Sequence, residues 1–444
     1  MTNQQTEDQP AAVAETPKQA GEIRARWAWT EPSVWTGRML TALEEGVKGG
    51  KWFSLMDKVY RERTLWAAFQ QVKANGGAAG VDHQTVEDFE RDLSDNLKRL
   101  AEQLREGSYR PQAIRRVWIP KPGSKAKRPL GVPTVRDRVV QAAVRLGLEP
   151  IFQRDFAEQS YGFRPNRGCK DALRRVDSLL RQGYLLIVDA DLKSYFDTIP
   201  REPLMQRLRK KVSDGAVLNL VEAFLNQQVL EGMNSWTPEG GTPQGAVLSP
   251  LLSNLYLDPL DHQMVEEGIE MVRYADDFVL LCRSREEAKR ALQRVREWTA
   301  TAGLTLHPLK TRIVDETQQG FDFLGYHFQR GRRWPRQKSR DKFRDTIRSK
   351  TPRRSGQSLK VIIAEVNRTL RGWFEYFKHS NPATFREVDS WTRGRLRSLQ
   401  RHRQKRKGRG RRSDHQRWPN RYFAEQGLFS LVAAHGLVRQ SLSR

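Results

Sequence analysis

Two adjacent carboxylates inside a mostly apolar segment are the residues of this chain best suited to chemistry. Asp276 and Asp277 lie within 272–282, between two short runs rich in β-branched and aromatic residues. This pattern predicts two paired strands with the acids near their turn. Acids at a turn are more often turn formers than catalytic groups, so their meaning depends on the rest of the chain.

A second set of acids follows the apolar run 185–188 and comprises Asp189, Asp191 and Asp197. Nucleotidyl transfer by two divalent ions needs carboxylates from separate strands that converge on ions about 4 Å apart. The two acidic segments could supply one strand each. Together they predict a two-metal site for phosphoryl transfer.

Composition indicates a polyanionic partner. The 444 residues include 78 Lys and Arg against 52 Asp and Glu, a formal net charge of +26, which favours nucleic acid as that partner. A ribosomal or chromatin-like binding protein would share this charge without needing catalytic acids. Two distant cysteines exclude a disulfide framework or a Cys-rich zinc module. No apolar run is long enough to span a membrane, so we expect no membrane partner and a cytoplasmic protein.

Composition and periodicity divide the chain into four parts. Residues 1–35 are expected to be a disordered or weakly ordered extension, and 36–330 alternate helical and strand patterns, including a strand at 114–120 and a helix at 286–302. The basic, Ser-rich segment 331–356 is interpreted as a linker. An amphipathic helix from 359 then opens a helical unit at 357–444.

The acidic segments and their neighbours resemble, in order and spacing, the motifs of reverse transcriptases. Segment 185–197 resembles motif A, 240–254 motif B, 272–282 motif C and 303–311 motif D. The resemblance implies that Asp191, Asp276 and Asp277 hold two Mg²⁺ ions.

The same resemblance implies a role for each residue around the nucleotide. Phe196, five residues after Asp191, would be the steric gate against a ribose 2′-hydroxyl, although a core aromatic would look the same. Gln244 would contact the incoming dNTP. Lys310 would be the general acid that protonates pyrophosphate. Lys121 and Arg128 would grip the triphosphate, against the alternative of a solvated basic loop.

Further segments resemble group II intron-encoded reverse transcriptases, namely 131–138, 160–169 and, for the maturase domain, 370–377. The resemblance implies an α+β right-hand polymerase with an antiparallel palm sheet and a helical thumb that doubles as maturase. Its implied function is copying intron RNA into DNA and binding that RNA to promote splicing and retrohoming. The implied partners are group II intron RNA, an RNA template with a DNA primer, target DNA and dNTPs. The chain looks like the bacterial class C members, which lack a His-Asn-His endonuclease domain.

The segment 393–412 carries eleven Lys or Arg in twenty positions. Such a density favours neutralisation by RNA phosphates over a merely solvated helix face. The predicted RNA-binding residues are Arg401, Arg403, Lys405, Arg406 and Lys407. Two alternatives to an intron-encoded polymerase stay open: a splicing maturase whose polymerase site has decayed, and a domesticated or defence reverse transcriptase no longer tied to an intron.

Overall fold

The computed structural model describes residues 17–120, 127–406 and 412–442. The helices of the first part of the chain are α1 (Pro17–Arg26), α2 (Gly37–Glu45), α3 (Met56–Val59), α4 (Glu62–Asn75), α5 (Val86–Arg91), α6 (Leu93–Glu106) and α7 (Val135–Gln153), with a 3₁₀ turn at Lys48–Gly50. Those of the middle part are α8 (Cys169–Arg181), α9 (Tyr195–Thr198), α10 (Arg201–Arg209), α11 (Gly215–Leu225), α12 (Ser249–Glu266) and α13 (Arg285–Thr301).

The C-terminal unit is helical. Its helices are α14 (Gln337–Lys350), α15 (Leu359–Phe377), α16 (Pro382–Arg403), α17 (Arg412–Arg417), α18 (Asn420–Glu425) and α19 (Leu431–Leu442). The strands of the described chain are β1 (Ile114–Pro120), β2 (Lys127–Val132), β3 (Leu186–Asp191), β4 (Val229–Glu231), β5 (Asn234–Trp236), β6 (Glu270–Tyr274), β7 (Asp277–Cys282), β8 (Arg312–Asp315), β9 (Phe321–Phe323), β10 (Tyr326–Gln329) and β11 (Arg332–Pro335).

Two four-stranded sheets organise the region before α14. The fingers sheet has the order β2-β1-β4-β5, with β1 antiparallel to β2 and parallel to β4. The palm sheet has the order β6-β7-β3-β8, and all its neighbours are antiparallel. The predicted antiparallel palm sheet is therefore confirmed.

Alternation along the palm strands buries both faces of the sheet. Val188, Leu280 and their neighbours pack into the main core, whereas Ile187 and Val279 face a second core formed with α8, β9 and β10. Helix α13 contacts β3 and β7, and α12 contacts β6. The acids at the strand ends thus stand on a sheet held rigid from both sides.

A small sheet of order β11-β10-β9 joins the palm to the C-terminal helices. The Tyr326 hydroxyl donates to the Tyr376 carbonyl at 2.7 Å, and the Tyr376 hydroxyl donates to the Leu324 carbonyl at 2.7 Å. Phe377 packs into the same core as the palm strands. The C-terminal unit is therefore fastened to the palm by reciprocal hydrogen bonds and a shared apolar core.

Two predictions about weakly ordered segments were wrong. The expected linker 331–356 contains β11 and α14, and Phe343 and Ile347 of α14 are buried. These two apolar residues, four positions apart, are enough to fix one helix face on the core although most of their neighbours are basic or polar. From Pro17 onward the N-terminal extension is also ordered: Trp35 is buried, and its Nε1 donates to the Leu146 carbonyl at 2.9 Å. Residues 1–16 lie outside the described residues.

Within 17–120, 127–406 and 412–442, no helix is both long and apolar enough to cross a bilayer.

Candidate active site

The palm sheet brings the two acidic segments together at one edge. Asp191, the last residue of β3, is paired with Asp277, the first residue of β7. Asp189 lies on the same face of β3 as Asp191, because side chains alternate along a strand. The convergence predicted from the two segments is therefore present.

Asp276 lies in the tight turn between β6 and β7. Tyr274 pairs with Asp277, which leaves Ala275 and Asp276 as the two turn residues. Ala275 has φ +59°, the left-handed value that a type II′ hairpin turn requires at its first central position. A residue with a Cβ occupies this conformation at a cost, so the surrounding structure must hold the turn in place.

The acids of this edge repel one another. Asp277 is accessible to solvent, yet the surrounding protein atoms and the charges of Asp276 and Asp189 raise its pKa to about 7. Burial and the charge of Asp191 also raise the pKa of Asp276. A divalent cation would relieve this repulsion, and carboxylate oxygens are the ligands that Mg²⁺ prefers. The donor set therefore fits Mg²⁺, although no three such side chains in the described part of the chain are preassembled around one ion.

Lys310 contacts the first of these acids. Its Nζ lies 2.6 Å from Asp191 Oδ2, and the His307 amide donates to the Asp191 carbonyl at 2.7 Å. The motif D segment is therefore anchored on the end of β3. Lys310 therefore lies at the acid cluster, and its role as a general acid stays a prediction.

The loop 240–245 connects the expected gate to the expected nucleotide contact. The Thr242 amide donates to the Phe196 carbonyl at 2.7 Å, and the Gly131 amide donates to the Gln244 carbonyl at 2.6 Å. Gly245, at φ +104°, has no room for a Cβ because Gly131 lies against it. The loop is thus clamped between α9 and β2. Phe196 is half-buried and packs on the main core, so both the gate and the core interpretation stand.

The fingers hairpin carries one described nucleotide candidate. Arg128 is exposed on β2, opposite Ile119 of β1. Lys121 lies outside the described residues.

The predicted RNA-binding residues are in different environments. Arg401 is buried and donates to both oxygens of Asp414, at 2.9 and 3.0 Å, so its prediction as a surface contact was wrong. Arg403 donates to the Gln357 carbonyl. Lys405 and Arg406 are exposed, and Lys407 lies outside the described residues.

A buried polar network beneath the turn was missed by sequence reasoning. Arg273 of β6 is fully buried and bonds to Asp261 and Asn254 of α12 and to the Ala275 carbonyl. The sequence did contain a signal for this network, because Arg273 directly follows two apolar residues in a segment whose pattern predicts a buried strand. A charged residue at such a position indicates an internal partner.

Comparison with known proteins places both halves of the chain. The family model "Reverse transcriptase (RNA-dependent DNA polymerase)" matches residues 119–328, and "Group II intron, maturase-specific domain" matches residues 340–418. A solved structure titled "Partial Cas6-RT-Cas1--Cas2 complex" is 26% identical and covers 56% of this chain and 41% of its own, with a TM-score of 0.36, too low to support an argument.

Two curated relatives cover different shares of the chain. The group II intron-encoded protein LtrA of Lactococcus lactis subsp. cremoris is 37% identical over 203 residues, which are 45% of this chain but only 33% of LtrA. Protein YkfC of Escherichia coli strain K12 is 31% identical over 353 residues, 69% of this chain and 87% of YkfC. With both models matched in order and an acid cluster at the paired ends of β3 and β7, the chain belongs to the family of group II intron-type reverse transcriptases with a maturase domain.

Proposed function

We propose that this protein is an RNA-directed DNA polymerase that extends a DNA primer with dNTPs on an intron RNA template. The observation that carries the proposal is the pairing of Asp191 with Asp277, next to Asp276 in the hairpin turn. Carboxylates from two strands meeting at one edge are what two-metal nucleotidyl transfer requires. The match of residues 119–328 to the reverse transcriptase family model and the similarity to the group II intron-encoded protein LtrA support the same function.

The metal ligands in this proposal are Asp191, Asp276 and Asp277. Two bound Mg²⁺ ions would supply activation of the primer hydroxyl and neutralisation of charge on the transferred phosphoryl group. The raised pKa values of Asp276 and Asp277 support this assignment, since both carboxyl groups gain from a nearby cation. Lys310, whose Nζ lies 2.6 Å from Asp191 Oδ2, would donate a proton to the departing pyrophosphate.

The neighbouring residues would orient the nucleotide. The Phe196 ring would lie under the sugar and exclude a 2′-hydroxyl, and Gln244 would contact the dNTP from the clamped loop. Arg128, together with Lys121, would bind the triphosphate by charge-assisted hydrogen bonds. The hydrogen bonds from Thr242 to Phe196 and from Gly131 to Gln244 support a shared, rigid pocket for these roles.

We further propose that the C-terminal unit, beginning at α14, is the thumb and binds the intron RNA as a maturase. Lys405 and Arg406 are exposed at the end of α16 and are the best described candidates for phosphate contacts; Arg403 and Lys407 would assist. RNA would perform the splicing chemistry while the protein contributes binding energy. In this proposal the protein works in a bacterial cytoplasm, and the extended complex meets target DNA during retrohoming.

One paired assay tests the proposal. The purified chain should extend a DNA primer on an RNA template with Mg²⁺ and dNTPs, and should accelerate splicing of the intron RNA that flanks its reading frame. Asp276→Asn should abolish extension and leave splicing intact, because splicing does not use the palm acids. The matched control Asp315→Asn, at the far end of β8, should leave both activities in place.

The other outcomes separate the alternatives. Splicing without extension by the wild-type chain would identify a maturase whose polymerase site has decayed. Extension without any effect on the flanking RNA would identify a reverse transcriptase no longer tied to an intron. Absence of both activities would overturn the proposal.

A further inference from the structure

A buried arginine lies directly beneath the turn that carries Asp276. The Arg273 side chain is 0% exposed, and it is among the largest fully buried side chains of the described chain. Burying a guanidinium is costly unless its donors are paired. The hydrogen-bond partners of Arg273 therefore indicate the role of this side chain.

Its donors have four described acceptors. Nε donates to Asp261 Oδ1 at 2.7 Å, and Nη2 donates to Asp261 Oδ2. Nη1 donates to Asn254 Oδ1 at 3.0 Å and to the Ala275 carbonyl at 2.9 Å. Asp261 anchors the guanidinium, and the free edge of the anchored group reaches the main chain of the catalytic turn.

The turn is also held by the loop that contains Gly162. Asn254 Nδ2 donates to the Gly162 carbonyl at 2.8 Å, and a Cβ on Gly162 would overlap the backbone nitrogen of Ala275. The loop containing Gly162 and the Arg273 guanidinium therefore enclose the residue whose φ is +59°. A strained backbone persists only where its surroundings impose it, and here Arg273 bonds to Ala275 while Gly162 lies against it.

Helix α12 links this turn to the expected sugar gate. The Tyr195 hydroxyl donates to the Ser253 carbonyl at 2.8 Å, one residue from Asn254. Tyr195 is the neighbour of Phe196 on α9. Two consecutive residues of α12 thus position the gate helix and the catalytic turn relative to each other.

We propose that Arg273, anchored by Asp261, is a positioning residue that holds the Ala275 peptide and thereby places the Asp276 carboxylate for metal binding. The inference deepens the proposed polymerase function and rests on it. A purely structural ion pair would stabilise the fold without influencing the metal requirement. The two roles are separated by measuring the metal dependence of the reaction.

The first variant is Arg273→Lys. Lysine keeps the charge next to Asp261, but a single ammonium lacks the planar fork that serves Asp261, Asn254 and Ala275 together. We expect kcat to fall on the order of 10- to 100-fold, as for a misplaced catalytic group. The Mg²⁺ concentration for half-maximal rate should rise, and so should the Mg²⁺ concentration that gives half of the Mg²⁺-induced increase in Tm without substrates. The KM for dNTP at saturating Mg²⁺ should change little. An unchanged Mg²⁺ requirement would overturn the proposal.

A rescue variant tests the mechanism directly. Glycine adopts positive φ without the steric cost of a Cβ. Ala275→Gly should therefore restore part of kcat and of the Mg²⁺ affinity in the Arg273→Lys background. If the double variant recovers neither, Arg273 does not act through the turn.

The other buried Arg–Asp pair supplies the matched control. Arg401→Lys weakens the pair with Asp414 in the thumb, and we expect it to lower Tm without changing the Mg²⁺ requirement on a short primer-template. An equal Mg²⁺ shift in this control would mean that any loosened fold gives the effect, and would overturn the proposal. If Arg273→Lys does not fold, Asn254→Ala keeps the Arg273–Asp261 pair and should still shift the Mg²⁺ requirement in the same direction. A wild-type chain without extension would instead refute the polymerase function itself.

Discussion

The palm edge concentrates acidic side chains and the thumb concentrates basic ones. The two regions differ in how these charges are used: the acids repel one another, whereas a buried arginine of the thumb is paired within the protein. At the palm edge, burial and the charge of Asp276 raise the pKa of Asp277 to about 7, which a bound cation would counteract. In the thumb, Arg401 is consumed by a buried pair with Asp414. The thumb arginine is thus used inside the protein, whereas the repulsion among the palm acids favours a bound cation.

Helix α16 shows how the thumb uses its cations internally. Arg395 donates to the Thr351 carbonyl at 3.0 Å, and Arg397 donates to the Trp418 carbonyl at 2.9 Å. Both bonds tie α16 to segments that follow other helices. These two arginines of the basic segment therefore link helices to each other. Among the described residues of 393–412, Lys405 and Arg406, which follow α16, are exposed and stay candidates for RNA contact.

The largest expected effect is the difference in primer extension between variants of two acids on β3, Asp191 and Asp189. Asp191→Asn should abolish primer extension, because it removes a ligand that the two-metal mechanism needs. Asp189→Asn should retain most of the activity: Asp189 is 21% exposed against 41% for Asp191, and it faces Arg312 at 3.6 Å. Single-turnover extension rates of the two variants measure the difference.

The control for this pair is RNA affinity. Both variants should bind template RNA within a few-fold of the wild type, because metal ligation lowers the barrier and adds little affinity. Equal loss of extension in both variants would show that the cleft senses total charge and not a particular ligand.

Parts of this comparison could be predicted from the sequence, and parts could not. Periodicity predicted β1, α13 and α15 to within a residue or two, because each buries one regular face. The acids Asp191, Asp276 and Asp277 could also be predicted, because their residue types and spacing along the chain are visible in the sequence. The pairing of Arg401 with Asp414, thirteen residues away across an undescribed segment, has no periodic signal. Nor does the pairing of Arg273 with Asp261, since it joins a helix to a strand through tertiary packing.

A second prediction concerns the sugar gate. Phe196→Ala should raise incorporation of rNTPs relative to dNTPs, on the order of 10- to 100-fold, because a removed steric block is worth a few kcal/mol at most. Competing single-nucleotide incorporations on one template measure the ratio. Phe196→Tyr keeps the ring and should keep the discrimination. An unchanged ratio in Phe196→Ala would leave this residue as part of the core only.

A third prediction concerns stability and pH. The pKa of Asp277 is about 7 in the folded protein against an ordinary 3.8, so the folded state binds this proton more tightly than the unfolded chain. Its contribution to stability is therefore present at low pH and is lost as the pH rises through about 7. Added Mg²⁺ should offset that loss, so the rise in Tm caused by Mg²⁺ should be larger at about pH 8 than at about pH 5.

Asp277→Asn provides the control for the pH effect. The amide does not titrate, so the pH dependence of the Mg²⁺ effect should be reduced in this variant. Melting curves in EDTA and in Mg²⁺ across the pH series supply the measurement. A Mg²⁺ effect of equal size at both ends of the series in the wild type would contradict the assignment of Asp277 as a metal ligand.

The smallest expected effect is a change in the salt dependence of RNA binding, which should differ between variants of exposed and of buried cations in the thumb. Replacing Lys405 and Arg406 by Gln should flatten the salt dependence of RNA binding by roughly 0.7 to 0.9 in slope for each phosphate contact removed, because fewer counterions are released. Arg401→Gln should leave that slope unchanged and instead destabilise the thumb by about 3 to 5 kcal/mol, since it breaks the buried pair with Asp414. Binding curves across a salt series, measured below the Tm of each variant, distinguish the two. If Arg401→Gln flattens the slope while the exposed pair does not, the intron RNA contacts the opposite side of α16, and the thumb surface assigned by exposure is wrong.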